Sequence, residues 1–168
     1  MTTSSERPRK PSAALLLQPA CALALGFGAG LAPRAPGTFG ALLGLPLAAA
    51  LTQLPVFAAA LMLVLLSVLG VWCCAIAGRR LGVSDHPAIV WDEVVGMALT
   101  LLAVPLAWPH YLLGFALFRA FDILKPWPVG ALDRGVGGGL GVMLDDLAAA
   151  LLAGLTLQLA ALAGVLPG

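Results

Sequence analysis

The chain has 168 residues, of which 61% are hydrophobic and only 10% charged, with a net charge of +1. A soluble domain carries about 25% charged residues, so a mean hydropathy of +1.01 excludes an ordinary water-facing surface and indicates one integral membrane domain. The near-neutral balance excludes a polybasic nucleic-acid face. The three cysteines, Cys21, Cys73 and Cys74, all lie in apolar stretches and supply neither a disulfide framework nor a zinc pattern.

Residues 1–12 read as a basic tail, with Arg7, Arg9 and Lys10 holding the N-terminus in the cytoplasm. Residues 13–168 read as a single membrane domain. The apolar run Ala13–Leu25 has the outline of a signal peptide, with an Ala-x-Ala-like end at Cys21-Ala22-Leu23-Ala24. A glycine-rich stretch joins it directly to the next apolar run, which argues against cleavage. No charge occurs from Ala35 to Gly78, too long for one crossing, and Thr52-Gln53-Leu54-Pro55 breaks the run. The pattern predicts a hairpin of two helices, Thr38–Leu51 and Val56–Gly78. The first reaches about 21 Å, less than the hydrocarbon core, so it must be re-entrant or sheltered by neighbours. A second uncharged run, Val94–Phe118, is interrupted by Pro105 and by Pro109-His110, which predicts two short helices meeting at a turn. His110 at that turn reads as interfacial. Leu147–Pro167 is long enough for a final span.

The fold class expected is all-α: an integral membrane helical bundle with short or re-entrant helices and one compact polar mouth. Arg34, Arg79, Arg80, Arg119, Lys125 and Arg134 fall on one side if both hairpins dip from the cytoplasm, in keeping with the positive-inside tendency. Pro11–Leu31 then lies along the interface or re-enters. Seven of the eight carboxylates sit between Asp85 and Asp146. Beside a bilayer, carboxylates are costly unless paired, hydrated or bound to a cation, so this cluster is the first candidate for chemistry.

The cluster has three parts. Ser84-Asp85-His86-Pro87 precedes Trp91-Asp92-Glu93, with Pro87 expected to start a helix. Asp92 and Glu93 point about 100° apart on a helix, so one could bind metal while the other orients a ligand; favourable charge in a first helical turn is the alternative. Arg119, Asp122 and Lys125 recur every three residues, one face of a helix end. Two cations around one acid suit a phosphate and a metal ligand, or a local ion-pair ladder. Asp133-Arg134 leads through glycines, which let backbone N–H groups approach an anion, to Asp145-Asp146. That pair is expected to open the last helix, where hard oxygen ligands could hold Mg²⁺ or cap the helix. Upstream, Gly37-Thr38-Phe39-Gly40 enters the short helix; Thr38 can cap it, and free N–H groups there would face an anion. Gly26 and Gly30 also have the spacing of a small-residue helix contact. Cys73 and Cys74 each begin a Cys-x5-Arg match, but on the apolar end of a helix, the wrong setting for a thiolate nucleophile.

The order of these segments resembles the phosphatidylglycerophosphatase A family: Pro36-Gly37-Thr38, Val90-Trp91-Asp92-Glu93 with Gly96-Met97, Phe118-Arg119 with Asp122 and Lys125-Pro126-Trp127-Pro128, and Gly141 with Asp145-Asp146. The match runs from Leu25 to Gly154; Arg34 is not part of the pattern. The resemblance implies a Mg²⁺-dependent lipid phosphatase of the bacterial inner membrane. It would convert phosphatidylglycerophosphate to phosphatidylglycerol and phosphate, and the charge distribution places its active site on the cytoplasmic side. On that reading Asp92, Glu93, Asp122, Asp145 and Asp146 are metal ligands and bases. Gly37, Thr38, Gly40, Arg119, Lys125 and Arg134 bind phosphoryl oxygens, while Asp85 and His86 are outer-shell groups or leaving-group acid. Partners are the lipid substrate and the bilayer, and no motif fixes an oligomeric state. The rival class is a small transporter or cation-binding membrane protein with acids lining an ion path.

Overall fold

The computed structural model describes residues 10–105 and 107–166; most of the basic tail lies outside them. The described residues form seven α-helices and two short 3-10 segments, with no strand. Helix α1 (Pro19–Ala24) is flanked by the 3-10 segments Ala13–Leu17 and Gly26–Leu31. None of these pieces exceeds six residues, so none is long enough to cross a bilayer. The backbone reverses through positive φ at Gly26, Phe27 and Gly28.

Helix α2 (Pro36–Leu51) and helix α3 (Val56–Leu81) form the first hairpin. α2 begins two residues earlier than expected, with Ala35 in the left-handed region as its cap. Thr38 therefore lies inside the first turn and does not cap the helix. Helix α4 (Trp91–Thr100) and helix α5 (Trp108–Leu124) form the second hairpin. Pro87 belongs to the loop before α4 rather than to its first turn. Pro109 stands in the first turn of α5, where a missing N–H is harmless. His110, expected at an interfacial turn, is instead buried at 1% exposure within α5. The short helix α6 (Val129–Gly135) leads to helix α7 (Gly138–Leu162). The largest departure from the sequence reading is here: α7 begins at Gly138, so Asp145 and Asp146 lie two turns inside it and do not open it.

Helices α3 and α7 are long and apolar enough to span a membrane, at about 39 and 37 Å. Phe57, Leu61, Val64, Leu65, Val68 and Trp72 of α3 are all exposed. An apolar face of that extent on one helix suits lipid rather than water. Contact among the helices depends on glycines. A Cβ at Gly40 would lie 2.8 Å from the Cβ and carbonyl of Val90, and one at Gly44 would lie 2.5 Å from the Met97 Cβ. The Gly40–Gly44 pair is the small-residue crossing, and it lets α2 seat directly on α4. Gly26 and Gly30 pack instead against the loop before α4: a Cβ at Gly30 would lie 1.9 Å from the Ala88 carbonyl.

The two hairpins run in the same sense. The Val90 N–H donates to the Ala24 carbonyl, and Gly139 abuts Val71 and Ala75 near the end of α3. The starts of α2, α4 and α7 therefore share one end of the bundle with the finishes of α3 and α5. At the opposite end the 52–54 turn meets residues 102–105, and the Gln158 amide donates to the Ala103 carbonyl. Every charged residue from Arg34 onward belongs to the first end.

Candidate active site

Three helices deliver carboxylates to that end. Asp92 and Glu93 occupy the first turn of α4, Asp122 the last turn of α5, and Asp146 an interior turn of α7. Their convergence rests on Gly96, one turn further into α4. A Cβ there would lie 2.8 Å from the Phe118 ring and 3.3 Å from the Asp146 carbonyl. With hydrogen alone at that position, α4, α5 and α7 approach closely enough for their acids to meet.

Asp92, Glu93 and Asp146 each offer one oxygen, and the three oxygens lie within 4.8 Å of one another. The 100° separation of Asp92 and Glu93 on their helix does not keep their oxygens apart, and Asp146 joins them from α7. Asp92 and Asp146 are buried. The Asp92 Oδ1, Glu93 Oε2 and Asp146 Oδ2 atoms are buried without a hydrogen-bond partner among the described residues. Burial, then the charges of Glu93 and Asp146, pushes the Asp92 carboxyl well above its ordinary range. Burial likewise pushes Glu93 up to about 7, against the opposing pull of Asp92 and Arg119. Three acids so close cannot all ionise comfortably unless a cation joins them, and hard oxygen donors of this kind could hold one.

Around this triad lies a cavity of about 290 Å³ that also receives Gly37, Asp85, Arg119, Asp122, Lys125 and Asp145. The Arg119 guanidinium binds Asp122 at 2.5 Å and stands 3.7 Å from Glu93. Gly37 makes room for both: a Cβ there would lie 2.1 Å from Glu93 Oε1 and 3.1 Å from Arg119 Nη1. Lys125 caps α5 in a left-handed conformation, which turns its side chain off the Arg119–Asp122 face. Its ammonium donates to Asp133 and, at 2.7 Å, to Asp145. Burial alone would lower the lysine, but hydrogen bonds and charge from Asp133 and Asp145 outweigh it and hold the ammonium above its usual range.

The sequence-derived set thus divides. Asp85, Asp92, Glu93, Asp122, Asp145, Asp146, Gly37, Arg119 and Lys125 line one cavity. Asp145 stands apart from the triad, because Lys125 already neutralises it. Lys125 is committed to two carboxylates rather than turned to an anion. Thr38 and Gly40 do not line the cavity, and Gly40 packs on Val90 instead. Arg134 lies on α6, exposed, with its guanidinium against Gly130. His86 is buried in the loop before α4, where its Nδ1 accepts from the Ala88 N–H. The glycines at 138, 139 and 141 belong to α7 rather than to an anion loop. Sequence reasoning missed the partnership of Asp133 with Lys125 and the crossing at Gly44. The Gly-x-x-x-Gly spacing at 40–44 was the available signal for the second.

The family model of phosphatidylglycerophosphatase A matches residues 22–161. The chain belongs to the phosphatidylglycerophosphatase A family. The Escherichia coli phosphatidylglycerophosphatase A is 44% identical over 128 residues, covering 76% of this chain and 74% of its own length. The Haemophilus influenzae phosphatidylglycerophosphatase A is 45% identical over 140 residues, covering 82% and 86%. A Bacteroides thetaiotaomicron protein named as a candidate phosphatidylinositol-3-phosphatase is 42% identical over 132 residues, covering 74% and 82%. No solved structure matches the chain. Every residue of the carboxylate triad and its surrounding cavity falls within the region matched to phosphatidylglycerophosphatase A.

Proposed function

We propose that this chain hydrolyses the terminal phosphomonoester of phosphatidylglycerophosphate, releasing phosphatidylglycerol and inorganic phosphate for phospholipid synthesis. Membership of the phosphatidylglycerophosphatase A family supports the reaction. The observation that carries the mechanism is the meeting of Asp92, Glu93 and Asp146, each of which keeps one buried oxygen without a hydrogen-bond partner. These three residues would hold Mg²⁺, and Asp122 and Asp145 line the same cavity. When bound, the cation supplies charge neutralisation for a phosphomonoester dianion that otherwise repels a nucleophile.

The remaining work falls to side chains. Arg119 keeps its guanidinium at the boundary between Glu93 and Asp122, where its other N–H groups can donate to phosphoryl oxygens as charge develops on them. Its Nε is buried and unpartnered. Asp122 accepts the proton of the attacking water, and the same proton can then pass to the leaving glycerol oxygen. Lys125 holds Asp145 in position through the 2.7 Å contact, with Asp133 completing the pair. Asp85 is exposed at the rim of the cavity, where it would act as an outer-shell group.

The one-ended charge distribution supports a multi-pass arrangement in which both hairpins and α7 enter the bacterial inner membrane from the cytoplasm. The mouth then faces the cytoplasm, and α2, α4 and α5 are re-entrant or sheltered. The deciding experiment measures phosphate release by the detergent-solubilised chain from phosphatidylglycerophosphate, with Mg²⁺ and with a chelator, beside phosphatidylinositol 3-phosphate. Mg²⁺-dependent release from the first lipid is expected. Undiminished turnover in chelator would overturn the metal assignment, and preference for the phosphoinositide would reassign the substrate.

A further inference from the structure

A second concavity lies on two of the helices that bound the mouth, α2 and α5. Leu42 and Leu45 of α2 face Trp108, Tyr111, Leu112 and Phe115 of α5 across an open groove of about 600 Å³, larger than the acidic cavity. Its size and lining fall in the range of sites that take apolar ligands. Phe115 is four residues from Arg119, about 6 Å along the helix. Leu42 is five residues from Gly37, about 7.5 Å. The groove therefore starts roughly one turn below the cavity and runs away from it along the α2–α5 seam. No charged residue lines it.

We propose that this groove receives an acyl chain of the lipid substrate while the headgroup phosphate enters the acidic cavity. The assignment rests on the lipid-phosphatase reading above and names how that site chooses a lipid. Shared walls select this occupant: Gly37 and Arg119 border the cavity, and the next turns of the same helices border the groove. A molecule with a phosphate at one end and a hydrocarbon chain at the other matches that succession.

The surrounding bilayer is as apolar as the groove, so no hydrophobic driving force holds a chain there. The groove acts by orientation. It fixes where the glycerol backbone lies, and so brings one phosphate into the cavity in a reactive pose. A bulky residue in the groove should then slow turnover of a lipid but not of its headgroup alone.

The test compares phosphatidylglycerophosphate with the same glycerophosphoglycerophosphate headgroup lacking acyl chains. Leu45→Trp, and Leu112→Trp on the more exposed wall, are measured beside Leu65→Trp, which sits on the lipid-facing side of α3 away from the groove. For each groove variant, kcat/KM on the acylated substrate should fall by about tenfold, with the rate on the bare headgroup and both rates of Leu65→Trp kept. Equal losses on the two substrates, or no loss on either, would overturn the groove. A wild-type chain that releases phosphate from neither substrate defeats the phosphatase reading itself, and the groove proposal with it.

Discussion

The most discriminating perturbation is one methyl group at Gly37. Its Cβ would sit 2.1 Å from Glu93 Oε1, well inside the 3.0 Å that real Cβ atoms essentially never breach. The obstructing atom is the tip of a flexible side chain, so the fold can accommodate the methyl by swinging the Glu93 carboxylate aside by about 1 Å. Arg119 Nη1, at 3.1 Å, must give by a few tenths of an ångström. Gly37→Ala should therefore leave thermal stability within about 1 kcal/mol of wild type, since alanine also favours the helix. A 1 Å displacement of a group that positions the reacting centre is a different matter, and turnover should fall by about 100-fold. Mg²⁺ should also be needed at higher concentration, because Glu93 leaves the triad. The assays are a melting curve in detergent and phosphate release across a Mg²⁺ titration. Wild-type turnover with an unchanged Mg²⁺ requirement would refute the reasoning, since it would mean Glu93 need not stand where it does.

Other expectations follow from the same geometry. Gly40→Ala meets backbone and Cβ of Val90 at 2.8 Å and should destabilise by about 1–3 kcal/mol, a loss visible in melting and absent from Gly37→Ala. Asp92→Asn and Asp146→Asn should each lower turnover by about 100-fold or more, yet raise the melting temperature in chelator because like-charge repulsion is relieved; a fall in melting temperature there would contradict the triad. The pH dependence has a defined sign. Glu93 is raised from 4.5 to about 7 in the fold, and Asp92 is raised further above its ordinary value. The folded protein thus binds more protons than the unfolded chain, so metal-free stability declines as pH rises from about 4.5 through 7. Mg²⁺ should then raise the melting temperature more at pH 8 than at pH 5, and an equal or reversed shift would count against the acids as the binding group. Lys125→Met should reduce turnover by leaving Asp145 and Asp133 without their cation, with Lys125→Arg restoring part of it; full activity in Lys125→Met would remove the lysine from the site.

Much of this molecule is written in the order of its residues. Bilayer physics makes charge expensive, so uncharged runs at 35–78 and 94–118, broken near Pro55 and Pro105, read directly as hairpins. The confinement of acids between Asp85 and Asp146 marks the site for the same reason. Spacing could not reveal where helices begin when the residues before them are glycines. α7 starts at Gly138 rather than Leu147, because its neighbours α3 and α6 bury Gly139 and Gly141 and compensate for their poor helix propensity. That shift moves Asp145 and Asp146 from a helix end to an interior wall.

The sequence by itself determined where the acids are confined, the hairpins and the end of the bundle that carries the charge, because those depend only on the free energy of placing each residue type in lipid or water. Tertiary structure alone decided which acids meet. Close crossing at Gly96 brings Asp146 to Asp92 and Glu93, while the left-handed turn at Lys125 captures Asp145 and leaves it outside the triad. Neither outcome is encoded in local spacing, since each depends on how near two distant backbones can approach.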